Sequence, residues 1–265
     1  MEILGYIASL VIGISLGLIG GGGSILTVPV LVYLFKVDPV VAMAYSLFIV
    51  GATALVGAIP KFKEGLVNLK TAIIFGIPSI VAVYLTRSFI VPAIPELLIE
   101  IGSFKLTRAI FLMGVFAILM VAASISMIRK PNKKTDSEIK PQVFNYPLIF
   151  IEGSVVGVLT GLVGAGGGFL IIPALVILSK LPMKQAVGTS LLIIAAKSLI
   201  GFTGDLGKYQ FDWTLLLSVS ALAIIGIFMG NVLARKINGD DLKKGFGWVV
   251  LIMGAYILLS QIYNL

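Results

Sequence analysis

The sequence predicts an all-α polytopic membrane protein made of two inverted-topology repeats, each with a broken helix hairpin at a glycine-rich turn plus three full transmembrane helices. Of its 265 residues, 58% are hydrophobic and only 12% are charged, which leaves too little charge for the surface of a soluble protein. The apolar stretches are continuous over about 18 residues or more, whereas strands of a membrane β-barrel alternate over about 10. The third observation is a long motif that occurs twice.

The repeated motif reads GLIGGGGSILTVPVL from Gly17 and GLVGAGGGFLIIPAL from Gly161. The match continues without a gap to Gly57 and Gly201, so the chain is a tandem duplication. A polar segment separates the halves, as expected for a boundary between repeats. We therefore divide the chain into a first membrane repeat at 1–128, a cytoplasmic linker at 129–145 and a second membrane repeat at 146–265.

In the first repeat, one helix leads into the glycines and a half-helix follows them. The half-helix has about 12 residues and a length of about 18 Å, too short to cross a hydrocarbon core of about 30 Å. Pro92 and Pro95 break the chain before a loop that holds Glu96 and Glu100. The predicted helices are Ile3–Ile19, the half-helix Ser24–Phe35, Pro39–Ile59, Leu69–Ile90 and Phe104–Ile128.

The second repeat has the same elements in the same order. Its helices are predicted at Tyr146–Val163, the half-helix Gly168–Ser179, Met183–Thr203, Trp213–Ile237 and Asp241–Tyr263.

The positive charges predict how the two repeats are oriented. If each broken hairpin leaves the membrane on the side that it entered, each repeat has three full crossings, and this odd number inverts the second repeat. The loops of one side then carry about three times as many lysines and arginines as those of the other, as expected for cytoplasmic loops. Four crossings per repeat would give a nearly even split. We therefore expect both termini outside, on the sparse side with Lys36, Arg87, Lys105, Arg108 and Lys208.

Composition excludes several kinds of chemistry. The chain has no cysteine and no histidine, which removes thiol chemistry, imidazole metal sites, histidine-based triads and histidine proton relays. We predict no metal and no cofactor. The net charge of +8 is interpreted as membrane topology rather than nucleic-acid binding. Because the N-terminus lacks the positive region of a cleaved signal peptide, we expect it to begin the first helix of the mature protein.

The glycine turns are the first candidate binding site. Glycines leave backbone N–H groups uncovered, and the following half-helix directs the positive end of its dipole into the membrane, which favours an anion. Neither turn is a Walker phosphate loop, because no Lys-Ser/Thr follows the glycines. The alternative role is helix packing, which the four-residue spacing of Gly13, Gly17 and Gly21 and of Gly157 and Gly161 indicates for those glycines. The predicted substrate contacts are Gly20, Gly21, Gly22, Gly23, Ser24 and Thr27 in the first turn, and Gly164, Gly166, Gly167 and Gly168 in the second.

The helix after each half-helix supplies the second set of candidates. Lys197 lies within an apolar helix, where a lysine is costly and usually functional. Its equivalent in the first repeat is Thr53, so the charge breaks the symmetry and is a candidate counter-ion for an anion. Snorkelling, or an ion pair with Glu152 or Asp205, is the alternative. Hydroxyls on the same helices complete the predicted substrate contacts as Ser46, Thr53, Thr189, Ser190 and Lys197.

Two carboxylates are candidates for proton coupling. Glu152 and Asp205 are the acidic groups nearest to the apolar region, and a buried carboxylate can couple a proton to transport. A turn beside Gly204 is the alternative for Asp205, and solvation at a helix end is the alternative for Glu152.

The paired motifs resemble the sulfite exporter TauE/SafE family of anion permeases. The resemblance rests on the two glycine-rich segments and on the helices AMAYSL and AVGTSL that follow them, and it covers nearly the whole chain, from about residue 5 to about residue 260. It implies a multi-pass protein of the cytoplasmic membrane that transports sulfite, organosulfonates or other small organic anions. The first motif departs from the second at Ala44, Tyr45 and Ser46, where the second has Gly188, Thr189 and Ser190, so one half of the site is less polar.

The function expected from these features is secondary transport, most simply export, of a small anion. An anion channel is the alternative within transport, and a structural membrane subunit is the alternative outside it. An intramembrane protease is disfavoured, because a rhomboid needs histidine and the aspartyl type needs Tyr-Asp and Gly-x-Gly-Asp sequences that do not occur here. The expected partners are the small anion, the lipid bilayer and a coupling proton, with no nucleic acid. The sequence leaves the oligomeric state open.

Overall fold

The protein is an all-helical membrane protein with one small β-hairpin. A computed structural model describes residues 2–101, 104–128, 146–177, 181–234 and 239–263. The predicted linker at 129–145 lies outside these residues. The helices are α1 Glu2–Ile19, α2 Gly22–Leu34, α3 Pro39–Lys63, α4 Leu69–Ala93, α5 Arg108–Ile128, α6 Tyr146–Val163, α7 Gly168–Ile177, α8 Met183–Thr203, α9 Trp213–Leu233 and α10 Gly239–Tyr263.

Six of the described helices are long and apolar enough to cross a membrane. They are α3, α4 and α5 in the first half, and α8, α9 and the part of α10 from Lys244 in the second. Helices α1, α2 and α6 are apolar but shorter. The chain is therefore a multi-pass membrane protein, with three long helices in each half as predicted. Helices α3 and α8 are the most buried of the six, so they form the centre of the molecule.

Each half begins with a hairpin that turns at its glycines. After α1 the chain turns at Gly20, whose φ is +81°, and α2 then passes from 3₁₀ through α to π turns. The ring of Phe35, just after α2, lies 5.2 Å from the ring of Tyr6 near the start of α1. The chain therefore leaves this hairpin close to the end where it entered. In the second half, α6 ends at Val163 and α7 begins at Gly168.

Three of the long helices begin at side-chain caps that the loop sequences supply. Asp38 accepts hydrogen bonds from the N–H groups of the first turn of α3, with Pro39 at the first position. Asn68 does the same for α4, and Asp212 for α9. Such caps satisfy N–H groups that have no partner within the helix. They fix where α3, α4 and α9 begin, which is where the sequence predicted.

The segment after α4 differs from the prediction. We expected a loop and then a helix from Phe104, but the chain forms an antiparallel hairpin of β1 Leu97–Ile101 and β2 Phe104–Thr107, and α5 begins at Arg108. Short strands of apolar and β-branched residues after two prolines explain the difference. Helix α9 also ends earlier than predicted, at Leu233.

Arg87 is a second correction. The charge count places it with the charges of the sparse side, at the end of the predicted helix Leu69–Ile90, but its side chain is fully buried, in a π turn of α4 at Thr86–Ile90. Its buried partner, described below, explains why this charge does not mark a loop.

Helices α3 and α8, which are equivalent in the two halves, pack in opposite directions. A Cβ added at Gly51 of α3 would lie 2.9 Å from Leu199 of α8, and one added at Gly57 would lie 3.7 Å from Leu191. Later residues of α3 therefore meet earlier residues of α8. The same reversal relates α5 and α10, where Met127 faces Gly247 and Met120 faces Gly254.

The first helix of each half packs in the same direction as a long helix of the other half. Helix α1 runs alongside α9, and α6 runs alongside α4, with glycines at both contacts. These glycines let the backbones approach closely, as small residues do in membrane helix pairs. The paired residues are Gly13 with Ala223 and Gly17 with Ile227, and Gly157 with Ser79 and Gly161 with Val83.

Candidate functional site

The two glycine turns meet at the centre of the molecule. The backbone of Gly21 lies directly against that of Gly168, and a Cβ added to either residue would overlap the Cα of the other. Both residues were predicted substrate contacts, and both are fully buried. The structure thus brings together two motifs that are far apart in the sequence.

The turns are wedged between the two central helices. Gly20 packs against Val187 of α8, and Gly164 packs against Met43 of α3, the equivalent residue of the other half. Gly166 lies against Val50 of α3. In the second turn Gly164, Gly166 and Gly167 all have positive φ, between +64° and +67°, a conformation that glycine adopts without strain.

Lys197 is fully buried beside the second glycine turn. Its Nζ donates a hydrogen bond of 3.0 Å to the Thr160 Oγ1, and a Cβ added at Gly167 would lie 2.7 Å from the same Nζ. Among the residues that the structure describes, no carboxylate lies within ion-pair distance of this ammonium group. The alternative ion pairs with Glu152 and Asp205 are therefore not formed in these parts of the chain.

Thr160 is a contact that the sequence analysis missed. Its hydroxyl donates to the Gly157 carbonyl oxygen at 3.2 Å and accepts the Lys197 hydrogen bond. The available signal was the comparison between repeats, because the equivalent position in the first half is Leu16. A hydroxyl that replaces an apolar side chain in one repeat indicates a local polar role.

The predicted hydroxyl contacts divide into two groups. Within the described residues, the hydroxyls of Thr27 and Ser46 are buried and have no hydrogen-bond partner, so they remain available to a ligand. The others already have partners. Three of them donate to a carbonyl oxygen of their own helix or turn: Ser24 to Gly21 at 2.7 Å, Thr53 to Ile49 at 2.6 Å, and Ser190 to Val187 at 2.8 Å. Thr189 accepts a hydrogen bond of 2.9 Å from the Asn68 N–H.

The remaining predicted glycines have local contacts. Gly22 faces Ile19, and Gly23 packs against Ser15 and Leu16 of α1. They hold α2 against α1 at the turn.

Asp205 forms a buried ion pair with Arg87. The Asp205 Oδ2 lies 2.7 Å from the Arg87 Nε, and both side chains are fully buried. Burial raises the pKa of the Asp205 carboxyl, and the Arg87 guanidinium opposes that rise. Asp205 also lies in a turn, since its N–H donates to the Phe202 carbonyl oxygen and its own carbonyl accepts from the Lys208 N–H.

Glu152 lies partly buried in α6, with its Oε2 lacking a hydrogen-bond partner among the described residues. The two candidates for proton coupling therefore differ, because Asp205 is paired with a cation and Glu152 has no such partner in the described parts of the chain.

Residues 5–257 match the sulfite exporter TauE/SafE family. The chain belongs to this family. The match includes both glycine turns, Lys197 and the Arg87–Asp205 pair. The TauE/SafE chain described here is a membrane transporter protein, not an enzyme.

Curated relatives agree with this assignment over nearly their whole length. A probable membrane transporter protein of Xylella fastidiosa (strain 9a5c) is 30% identical, with 93% of this chain and 91% of the relative covered. The probable membrane transporter protein YunE of Bacillus subtilis is 27% identical, with 98% and 100% covered. A probable membrane transporter protein of Methanocaldococcus jannaschii is 27% identical, with 96% and 94% covered. No solved structure matches the chain.

Proposed function

We propose that this TauE/SafE protein is a secondary transporter that exports a small anion, such as sulfite or an organosulfonate, across the cytoplasmic membrane. The observation that carries the proposal is Lys197. A fully buried ammonium group whose nearest partner is the neutral hydroxyl of Thr160 is costly in a membrane unless an anion compensates it. The transported anion would supply that compensation.

The binding site that we propose lies where the two glycine turns meet. Helix α7 begins at Gly168, next to Lys197, and the first turn of a helix offers N–H groups without helical partners. The positive end of the α7 dipole and the lysine charge would then act on the same anion. The hydroxyls of Thr27 and Ser46, which have no partner among the described residues, would be further donors for its oxygen atoms.

The proposal includes an inverted relation between the two halves. Its support is the antiparallel packing of α3 with α8 and of α5 with α10, because equivalent helices that cross one membrane in opposite directions require inverted repeats. Broken helices that meet at such a repeat boundary are a common design for substrate sites in secondary transporters. A glycine turn of this kind is tolerated within a membrane because protein surrounds it.

Transport is tested with the purified protein in proteoliposomes. We expect protein-dependent efflux of ³⁵S-labelled sulfite, with methanesulfonate as the second substrate tested. Counterflow, in which unlabelled anion on one side drives uptake of labelled anion from the other, is expected for a carrier but not for a channel. Applying a pH gradient tests whether a proton is coupled. Flux that never shows counterflow would favour the channel.

The role of Lys197 is tested with the Lys197→Met variant. Loss of a desolvated charge partner costs about 2–5 kcal/mol, so we expect the sulfite Kd to rise by about 30-fold or more. Lys197→Arg should keep part of the affinity, because it keeps the charge. Lys184→Met is the matched control, since Lys184 is an exposed lysine of the same helix. Unchanged affinity in folded Lys197→Met would exclude Lys197 as the anion contact.

A further inference from the structure

The two halves differ at one helix junction in a coordinated way. The junction of α4, α6 and α8 is equivalent to that of α9, α1 and α3, because the Gly157 contact with Ser79 repeats the Gly13 contact with Ala223. At four equivalent positions, the first of these junctions is the more polar one. Its residues Ser79, Thr160, Lys197 and Ser198 correspond to Ala223, Leu16, Thr53 and Ala54.

The same asymmetry continues to the buried ion pair. Arg87 and Asp205 correspond to Asn231 and Lys61 in the other half, which do not repeat the pair of opposite charges. The polar junction therefore holds two buried cations. They contact consecutive residues near the end of α6, since the Lys197 Nζ donates to Thr160 and the Arg87 Nη1 donates to the Gly161 carbonyl oxygen at 3.4 Å.

The ion pair between Arg87 and Asp205 uses only one of the two nitrogen atoms on the facing edge of the guanidinium. The side-on edge of a guanidinium presents Nε and Nη2 together, which suits two oxygen atoms of one anion. Asp205 occupies only the Nε position, through Oδ2, at 2.7 Å. Among the described residues, the Arg87 Nη2 and the Asp205 Oδ1 are buried without a partner. A bidentate oxyanion would satisfy this edge more completely than Asp205 does.

The backbone of α4 is irregular at Arg87. The π turn at Thr86–Ile90 interrupts α4 at this residue, and π turns within helices occur frequently at functional sites. The Lys208 Nζ donates to the carbonyl oxygens of Arg87 and Ser88, at 3.2 and 2.7 Å. These contacts fix the turn that carries the guanidinium, while the carboxylate belongs to the neighbouring loop between α8 and α9.

We propose that Arg87 is a second anion-binding position on the transport path, and that Asp205 is its resting counter-ion, which gives way to a small oxyanion. The position is next to that of Lys197, because the two cations contact consecutive residues of α6. The ligand is an oxyanion with at least two free oxygen atoms. The inference rests on the proposed function for the transport path and for the identity of that anion.

The test measures sulfite binding by the unfolding temperature of the purified full chain, with sulfite exchanged against gluconate at constant ionic strength. Lys197→Met is the background, so that the first site does not contribute. In this background, Asp205→Asn leaves Arg87 without its counter-ion and should tighten the apparent sulfite Kd at least tenfold. Adding Arg87→Gln should abolish that gain. A background protein and an Asp205→Asn protein that respond equally to sulfite would overturn the proposal.

Folding is controlled within the same series. If the Asp205→Asn protein folds only when sulfite is present throughout purification, the proposal is supported. If it fails to fold even then, while the protein that also carries Arg87→Gln folds, Arg87 does not accept an anion in place of Asp205. Failure of the proposed function is a separate result, in which Lys197→Met binds sulfite as well as the unaltered chain does.

Discussion

At the scale of single residues, the buried charged side chains that the structure describes lie near the C-terminal end of α6; they are Arg87, Lys197 and Asp205. Lys197 could be predicted because a lysine inside an apolar helix stands out in any sequence. Its partnership with Thr160 could not, because the comparison of repeats indicates only a local polar role for this threonine, and the two residues meet because α6 and α8 both pack against α4. The Arg87–Asp205 pair joins residues on α4 and on the loop after α8, so no local pattern indicates it.

Thr160→Val tests whether this threonine positions the Lys197 ammonium. The substitution keeps the shape and removes two hydrogen bonds, one to the Gly157 carbonyl oxygen and one from the Lys197 ammonium. Only the second bears on the position of the ammonium group, and it contributes about 0.5–1.5 kcal/mol. We expect the sulfite Kd to rise by about 2- to 10-fold, less than in Lys197→Met. Combining Thr160→Val with Lys197→Met should add nothing further. A positional role predicts this non-additivity, whereas a purely structural role of Thr160 would predict additive losses.

Thr203→Val is the matched control for this experiment. Its hydroxyl also donates to the carbonyl oxygen three residues earlier, in Ile200, at 2.6 Å, but it is exposed and far from the turn. An equal rise in the Kd for both variants would contradict the positioning role.

At the scale of elements, the helices were largely predictable and the hairpin was not. The apolar period and the capping residues define where α3, α4, α8 and α9 begin, which agrees with the structure. The segment Leu97–Thr107 is too short and too mixed for periodicity to separate loop, strand and helix. The glycine turns were predictable as turns, but the repeat suggests that equivalent glycines have equal roles. The structure distinguishes them, because Gly166 has a φ of +64° and Gly22 does not have a positive φ.

Gly166→Ala should therefore be much more harmful than Gly22→Ala. An alanine at position 166 adopts a left-handed conformation that costs about 1–2 kcal/mol, and its Cβ would meet the Val50 side chain at 2.5 Å. At Gly22 the nearest atom is the Ile19 Cγ2 at 2.9 Å, which is a smaller overlap, and the backbone there needs no left-handed conformation. We expect Gly166→Ala to lower both the unfolding temperature and sulfite flux.

Gly114→Ala provides the control for glycine replacement in this membrane protein. No atom lies within 4 Å of a Cβ added at Gly114 in α5, and alanine favours the helix by about 0.8–1 kcal/mol. Its stability and flux should be unchanged or slightly higher. Equal losses in Gly22→Ala and Gly166→Ala would mean that close packing, rather than backbone conformation, limits both turns.

At the scale of the whole molecule, the charges in the loops predict opposite directions for equivalent helices, and α3 and α8, like α5 and α10, pack in opposite directions. The charge asymmetry can be predicted from the sequence because it is a count of lysines and arginines over all the loops and needs no knowledge of the packing. The meeting of Gly21 with Gly168 is a consequence of two hairpins entering between α3 and α8. Its existence could be expected from the repeat, but its atomic contacts depend on the side chains of both halves.

The inverted arrangement makes a prediction about accessibility that parallel repeats do not share. Lys63 is the last residue of α3, the first repeat's central helix, and Gln210 lies in the loop after α8, the second's; both are exposed. Because the chain contains no cysteine, Lys63→Cys and Gln210→Cys each introduce a single label site. With inverted repeats, a membrane-impermeant maleimide added to intact cells should label Gln210→Cys and leave Lys63→Cys unlabelled until the cells are opened.

As internal controls, Glu96→Cys should behave like Gln210→Cys, and Lys184→Cys like Lys63→Cys. Labelling of Lys63→Cys and Gln210→Cys from the same side would mean that the two halves share one orientation, and the opposed glycine turns could not then approach from opposite leaflets.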